Sequence, residues 1–429
     1  MRTFSLRRLR AGREERAFRL PQILPLSPPP AGRVARLDGV RAIAALSVVC
    51  FHVWLYRDDR PQGARSELLD HAFFSANAGL ICFFVLSGYL LYGAFARAAL
   101  TGGAGVAIGP YLLRRAARIV PAAWVCGALS LAIYWAVDYH TITPSASELP
   151  VYALFAQNYS LSTMGRLNPV LWTLNVEVAF YATLPLIGWA ALRLGPRRMR
   201  AQFALVIAII AVSPAWDLLV LERGWDAIAH RALPAFLGSF GLGMLVALWG
   251  QHRRTAAPSR GQLGPWTTGA LLASATLFVV VDAMCRENGW LVPDGVLGDG
   301  LLSPLVQAEL LGHLGAAAGF ALLIAAAALG SGPAVGWLAW RPLAALGTAS
   351  YGLYLWHLPL LLSARHAGLL PAALGPRLLV VLALTIPVAA ASWRWVERPC
   401  IERGSLGGRR RRAPAGDRPA LRTSAVRQS

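Results

Sequence analysis

Long apolar runs separated by short clusters of arginine dominate this chain. A run of about 20 apolar residues is long enough to span a bilayer, and a backbone in lipid must satisfy its hydrogen bonds within a helix. The pattern therefore predicts an all-α membrane protein, a bundle of about ten transmembrane helices. The predicted spans are 40–57, 73–96, 118–138, 170–191, 202–220, 232–250, 265–284, 306–329, 343–363 and 376–396.

The arginine clusters predict how the bundle lies in the membrane. An even number of spans puts both termini on one side, and positive charge favours the cytoplasm for that side. With both termini cytoplasmic, the internal cytoplasmic loops carry 12 arginines and no acidic residue. We expect a multi-pass protein of the cell membrane (inner or plasma membrane), in contact with the lipid bilayer.

Composition agrees with this class. Apolar residues make up 56% of the chain and charged residues 14%, against about 25% charged in soluble domains. All 41 basic residues are arginine; they lie at the ends of apolar runs and in two tails, so we expect no nucleic-acid partner. The predicted domains are a basic, Pro-rich, disordered cytoplasmic tail over 1–35, a membrane domain over 36–402, and a basic disordered cytoplasmic tail over 403–429.

The first span carries the first candidate site. Ionisable residues within spans are costly and usually functional. Arg41 and His52 are 11 residues apart, about three turns or roughly 16 Å on nearly the same helix face. This predicts Arg41 at the cytoplasmic surface and His52 well inside the membrane, where a neutral imidazole can take a proton from an alcohol. A histidine that packs between helices is the alternative, and Asp38 is expected to pair with Arg41 or to cap the helix.

Arginines and an acid mark the third and fourth spans. Arg115 and Arg118 are three residues apart and therefore share a helix face, and Arg114 precedes them in the sequence. The two guanidiniums on this face could bind a phosphate bidentately. Simple marking of topology by positive charge is the alternative. Glu177 lies about 10 Å inside the fourth span from its outer end and must be paired, protonated or in a wet cavity. Either it orients the His52 imidazole, for which it is better placed than Asp38, or it forms a structural ion pair.

Two further groups are weaker candidates. His357 and Tyr354 lie in the ninth span, where interface packing is the alternative interpretation. Ser87 could be a nucleophile, but it lacks a GxSxG context, and the Ser87-Gly88 pair is more typical of closely packed helices. The sequence holds no HExxH or CxxC spacing, so we expect no metal site and no permanently bound cofactor.

Six segments, in this order, resemble the acyltransferase-3 family of integral membrane O-acyltransferases. They are 36–41 with His52 eleven residues after Arg41, 83–89, the pair Arg115 and Arg118, 172–181, 350–359 and 395–399. No segment is specific alone, but all six in order form a strong joint signal. The resemblance covers about residues 34–402.

The resemblance implies transfer of an acyl group, commonly acetyl, from cytoplasmic acyl-CoA as co-substrate to a hydroxyl of a sugar, glycolipid or secreted metabolite. It implies that His52 is catalytic with Arg41 as its partner, and that Arg115, Arg118 and the neighbouring Arg114 bind acyl-CoA. We complete the hypothesis with Glu177 and Asp38 as candidate catalytic acids. The expected substrate chamber consists of Tyr354, His357, Trp172, Asn175 and Ser87.

Two departures from the family pattern keep other functions open. Ile81 stands where the family commonly carries an acid, so either Asp38 or Glu177 substitutes for that acid or it is dispensable. Asn175 stands where small residues are common. A non-enzymatic transporter or flippase for a polar or lipid-linked metabolite is the main alternative, and a family scaffold without catalysis is another.

Overall fold

The computed structural model describes residues 34–57, 72–73, 75–256, 262–288 and 314–410, with the backbone alone at 256, 281–288 and 405–410. These ranges form helices and no strand, which confirms the predicted all-α class. Most of the two predicted tails, 1–33 and 411–429, and the start of the predicted span 306–329 lie outside the described residues.

Fifteen α-helices follow one another through the described ranges. They are α1 Ala35–Leu55, α2 Gly79–Thr101, α3 Ile108–Ala136, α4 Leu149–Ala153, α5 Trp172–Leu194, α6 Met199–Arg223, α7 Ala227–His230, α8 Leu233–Ala256, α9 Pro265–Asn288, α10 Leu314–Leu329, α11 Pro333–Gly336, α12 Arg341–Thr348, α13 Ser350–His366, α14 Leu374–Ser392 and α15 Arg398–Arg410. Short 3-10 turns occupy Ala76–Ala78, Ala146–Glu148, Gln157–Tyr159, Pro169–Leu171 and Trp337–Ala339, and a π-helical segment, Trp393–Glu397, joins α14 to α15.

Seven of the described helical segments are long and apolar enough to cross a membrane. They are Ala35–Leu55, Ala76–Thr101, Ile108–Ala136, Pro169–Leu194, Met199–Arg223, Ala227–Thr255 and Leu374–Gly404. Shorter apolar helices cover Pro265–Val280 and Leu314–Leu329. The chain is thus a multi-pass membrane protein, while the number of ten spans and the side of the termini stay predictions.

Two helices begin five or more residues earlier than predicted. Helix α1 starts at Ala35 and α3 at Ile108, five and ten residues before the predicted spans. The predicted spans began within the arginine clusters, at positions 40 and 118, and left Arg36, Arg114 and Arg115 outside. In the structure Arg41, Arg115 and Arg118 face an internal cavity, so the helices can carry them inside the bundle.

Helices α2 and α8 form the most extensive contact between described elements. Glycine at the crossing lets the backbones touch: a Cβ on Gly88 would overlap the Phe240 carbonyl oxygen, and one on Gly243 would overlap that of Val85. The hydrophobic effect does not drive helices together in lipid. Small residues at such crossings allow the close van der Waals packing that holds the helices together instead. The prediction that the Ser87-Gly88 pair permits close packing is confirmed for Gly88.

The predicted span 343–363 is two helices. Helix α12 ends at Thr348, Ala349 is non-helical, and α13 begins at Ser350. A one-residue break inside an apolar run leaves no trace in hydrophobicity, so the prediction missed it. Helix α12 packs closely on α1, where Gly347 meets the Asp38 carbonyl.

A proline in α13 connects that helix to the loop that precedes α5. Pro359 has no N–H and leaves the Leu355 carbonyl without its helical donor. The side-chain amide of Asn168 donates to this carbonyl at 2.9 Å, and the Cys126 thiol lies 3.5 Å from it. The contact fixes the depth of α13, and with it that of His357, relative to the loop between α3 and α5.

One predicted boundary outside the spans also differs. The helix after Pro399 continues to Arg410, so the predicted tail over 403–429 is helical over its first eight residues.

Candidate functional site

Five helices bring six of the predicted residues into one cavity of about 80 Å³. The residues that line it include Arg41 from α1, Ser87 from α2, Arg115 and Arg118 from α3, Glu177 from α5 and Tyr354 from α13. We call this cavity the chamber. Residues separated by more than 300 positions meet there, so the chamber is a property of the fold and not of any one motif.

The chamber places one carboxylate among three guanidiniums. Glu177 accepts hydrogen bonds from Ser87 Oγ at 2.9 Å and from the Tyr181 hydroxyl one turn along α5. Arg115 lies beside them, and in the described part of the chain its buried Nε has no hydrogen-bond partner. A buried donor without a partner is costly, so this arginine can receive an acceptor atom from a ligand.

Asp38 does not lie in the chamber. Its carboxylate is buried and accepts from the Arg41 guanidinium at 3.4 Å, one turn along α1. The expected Asp38–Arg41 pair is therefore present. As a catalytic acid Asp38 is a poor candidate, because it lies 14 residues, about 20 Å of helix, from His52.

His52 lies in the last turn of α1, three residues before the helix ends at Leu55. The depth of Arg41 and His52 in the membrane stays a prediction, because the structure fixes only their positions along α1. Arg41 is six residues inside α1, about 9 Å, and His52 is near the end predicted to face outward. The chamber lining does not include His52.

His52 forms a pair with His357. Its Nδ1 lies 3.2 Å from His357 Nε2 and 2.9 Å from the Val48 carbonyl oxygen. His357 is fully buried, and its Nδ1 lies 3.2 Å from the Leu353 carbonyl oxygen. Tyr354 connects the pair to the chamber: its ring lies 5.9 Å from that of His357, and its hydroxyl contacts Thr173 at 2.8 Å.

The carbonyl partners assign the proton positions in this pair. A carbonyl can only accept, so His357 donates through Nδ1 to Leu353, and the Nε2 of a neutral His357 is an acceptor. His52 Nδ1, which faces Val48 and this Nε2, must carry a proton. The remaining Nε2 of His52 therefore keeps a free lone pair, as a general base requires.

The prediction that Glu177 orients His52 is wrong. Glu177 is held by Ser87 and Tyr181, and among the described residues His52 contacts no carboxylate. Depth along a helix, the only information in the sequence, does not reveal which way a side chain faces. The neighbour that fixes His52 is His357.

Three other predicted residues lie outside the chamber lining. The Trp172 ring packs on Phe236, with ring centroids 5.5 Å apart, and under the Arg231 guanidinium. The Asn175 amide donates to the Phe155 carbonyl and so anchors the loop before α5. Arg114 is partly buried on α3 and, unlike Arg115 and Arg118, does not face the chamber.

Two tyrosines in the chamber escaped the sequence analysis. Tyr181 follows Glu177 by four residues, the spacing that brings side chains together on a helix. Tyr351 donates to the Ile119 carbonyl at 2.8 Å and joins α13 to α3. The first could have been found from its spacing, but nothing local marked the second. Ile81, at the position of the missing acid, is buried in the core.

The comparisons with known proteins identify the family. The acyltransferase-3 model, described as an acyltransferase domain, matches residues 34–394. The chain belongs to the acyltransferase-3 family. This confirms the predicted family and, at that level, the predicted class of enzyme. Among the described residues no cluster of three metal-ligating side chains occurs.

Three curated proteins are similar to this chain over most of its length. The chain is 28% identical over 366 residues to the exopolysaccharide production protein ExoZ of Rhizobium meliloti (strain 1021), covering 82% of this chain and 96% of ExoZ. It is 25% identical over 390 residues to YrhL of Bacillus subtilis (strain 168), named provisionally as a peptidoglycan O-acetyltransferase. It is 22% identical over 398 residues to the peptidoglycan O-acetyltransferase OatA of Listeria monocytogenes (serovar 1/2a, strain ATCC BAA-679 / EGD-e).

The match to the last two proteins is partial. It covers 86% and 87% of this chain but only 55% of YrhL and 56% of OatA, so the chain spans about half the length of these two relatives. No solved structure matches the chain.

Proposed function

We propose that this protein is a membrane O-acetyltransferase that moves an acetyl group from acetyl-CoA to a hydroxyl of a carbohydrate. The observation that carries the proposal is the chamber, where Arg41, Arg115 and Arg118 from two helices line one cavity with Glu177, and where Tyr354 connects that cavity to the imidazole pair. Cationic groups around a small cavity suit an anionic donor and the oxyanion of acyl transfer. The family match and the names of the relatives support the reaction class.

In the proposed mechanism Arg115 and Arg118 bind the donor, and its thioester extends past Tyr354 toward His52. The acceptor oxygen attacks the thioester carbonyl while its proton moves to Nε2 of His52. The C–S bond then breaks as the new C–O ester is completed. The thiolate takes the proton from the imidazolium, so the products are the acetyl ester and coenzyme A, and His52 returns to its neutral form.

The acceptor is proposed on the side where His52 lies. Helix α1 ends three residues after His52, at the end of the bundle opposite the arginine clusters. With the predicted orientation this end faces out of the cytoplasm, across the plasma membrane. An exported polysaccharide or peptidoglycan sugar, as the names of the relatives suggest, would reach His52 there without crossing the bilayer.

Membranes containing the protein, supplied with radiolabelled acetyl-CoA and polysaccharide fragments, test the proposal. Transfer of label to the fragment should depend on His52, and His52→Ala should lose about 10²- to 10⁴-fold in kcat, the usual contribution of a general base. His252→Ala is the matched control, because His252 on α8 lies outside the chamber and should keep full activity.

Two results would overturn the proposal. Movement of a labelled metabolite across the membrane without consumption of the thioester would identify a transporter. Equal turnover by wild type and His52→Ala would remove His52 from the chemistry.

A further inference from the structure

A second and larger cavity, of about 300 Å³, lies at the end of the bundle predicted to face the cytoplasm. It is enclosed by the start of α1, the last turns of α2 and α8, and Leu329 at the end of α10. Gly93 and Gly250 contribute no side chain to its wall. We call it the entry cavity.

The entry cavity is strongly cationic. Arg41, Arg97 and Arg254 line it together with one acidic residue, Asp38, whose carboxylate accepts from Arg41. Arg97 and Arg254 are exposed and, in the described part of the chain, neither guanidinium forms a hydrogen bond or an ion pair. The side chain of Gln251 adds a neutral polar group beside them. This arrangement suits an anion with several oxygens, such as a phosphate group.

The entry cavity and the chamber meet. Arg41 and Leu90 line both of them, so the two spaces are neighbours on either side of these residues. A free anion or a lipid headgroup would need only the outer space. A molecule with a phosphorylated head and a reactive group at the end of a narrow arm would use both.

We propose that the entry cavity binds the nucleotide phosphates of acyl-CoA through Arg97 and Arg254. This rests on the proposed function and deepens it. The nucleotide of the donor lies in the entry cavity, its pantetheine chain passes Arg41, and its thioester reaches the chamber. Arg115 and Arg118 then contact the acyl end of the donor instead of its phosphates.

Binding to the purified protein tests this without any requirement for turnover. The probes are coenzyme A and its nucleotide fragment, 3′-phosphoadenosine 5′-diphosphate, measured by titration calorimetry. Arg97→Gln and Arg254→Gln should each weaken both probes about tenfold, as expected for one lost hydrogen-bonded charge contact. Pantetheine lacks the nucleotide, and its binding should be the same in wild type and in both variants.

The control variant is Arg200→Gln. Arg200 is exposed at the start of α6, at the same predicted end of the bundle, and lines neither cavity. Its substitution removes one positive charge and should leave the affinity for both probes unchanged. A general electrostatic effect would weaken binding in all three variants equally and would overturn the proposal.

Two more outcomes separate the possible failures. If wild type binds neither probe, both the acyl-CoA donor of the proposed function and the phosphate site in the entry cavity are refuted. If wild type binds coenzyme A and the Arg97→Gln, Arg254→Gln double variant binds it equally well, the entry cavity is not the phosphate site. The double variant is also compared in vesicles of phosphatidylcholine with and without phosphatidylglycerol. A changed preference for the anionic lipid, with nucleotide binding intact, would identify a headgroup site and contradict the proposal.

Discussion

Removing the partner of His52 is the sharpest test of the imidazole pair. In His357→Leu the Nδ1–H of His52 loses its acceptor at 3.2 Å and keeps only the Val48 carbonyl. The variant should retain its fold, since leucine suits a fully buried position. In His357→Gln the side-chain carbonyl oxygen can replace Nε2 as the acceptor. We therefore expect the leucine variant to be impaired and the glutamine variant to recover much of the activity.

The magnitude follows from the charge that develops on His52. In the proposed mechanism Nε2 takes the proton of the acceptor, and the Nδ1–H then becomes the donor of an imidazolium. A hydrogen bond to a charged group contributes about 1.5–3 kcal/mol. At about 1.36 kcal/mol for each factor of ten, its loss lowers kcat by about 10- to 150-fold. The KM for acetyl-CoA should change little, because the bond strengthens only during the reaction.

Two measurements check this expectation. The first is kcat and KM for acetyl transfer in wild type, His357→Leu and His357→Gln. The second is the ¹⁵N spectrum of His52, which should show a protonated Nδ1 and a bare Nε2 in wild type. A wild-type kcat in His357→Leu, equal impairment of the two variants, or a protonated Nε2 in neutral His52 would each refute the reasoning.

Three further predictions concern stability. Gly88→Ala should lower the unfolding free energy in detergent by about 1–3 kcal/mol through overpacking, whereas Gly269→Ala, with open space around its Cα, should not lower it. Asn168→Leu should cost about 1–3 kcal/mol, because the buried Leu355 carbonyl keeps only the weak Cys126 thiol donor. Pro359→Ala should suppress this loss in thermal unfolding by restoring the helical N–H. The Ser145 amide and hydroxyl donate to Glu148 and hold the pKa of that carboxyl below its usual value. The loop that this carboxylate holds in place should be fully ordered above about pH 4.3, the usual pKa of a glutamate. It should lose this order as the pH falls through the lower pKa that Glu148 has in the folded protein. Hydrogen exchange should show this, and Glu148→Gln should abolish the pH dependence.

The sequence predicted the class of fold and the charged residues of the chamber. Spans of apolar residues require helices in lipid, so the all-α bundle followed from length and hydrophobicity alone. Charged and polar residues within those spans are costly, which is why Arg41, Arg115, Arg118 and Glu177 could be selected before their neighbours were known.

The contacts between helices could not be predicted in the same way. The direction in which each side chain points decides whether Glu177 contacts His52 or Ser87. A single sequence carries no information on how one helix is rotated relative to another. The same limit hid the His52–His357 pair, whose members are 305 residues apart. The break after Thr348 escaped because apolar residues continue on both sides of it.

The two cavities differ in size along the route from the arginine-rich end. The chamber has about 80 Å³ and the entry cavity about 300 Å³, so the space narrows to roughly a quarter. Leu80 and Phe83 are among the apolar side chains that line the chamber. Under the proposed function, the smaller volume of the chamber limits the acyl group that is transferred, while the wider entry cavity accommodates the part of the donor that carries it.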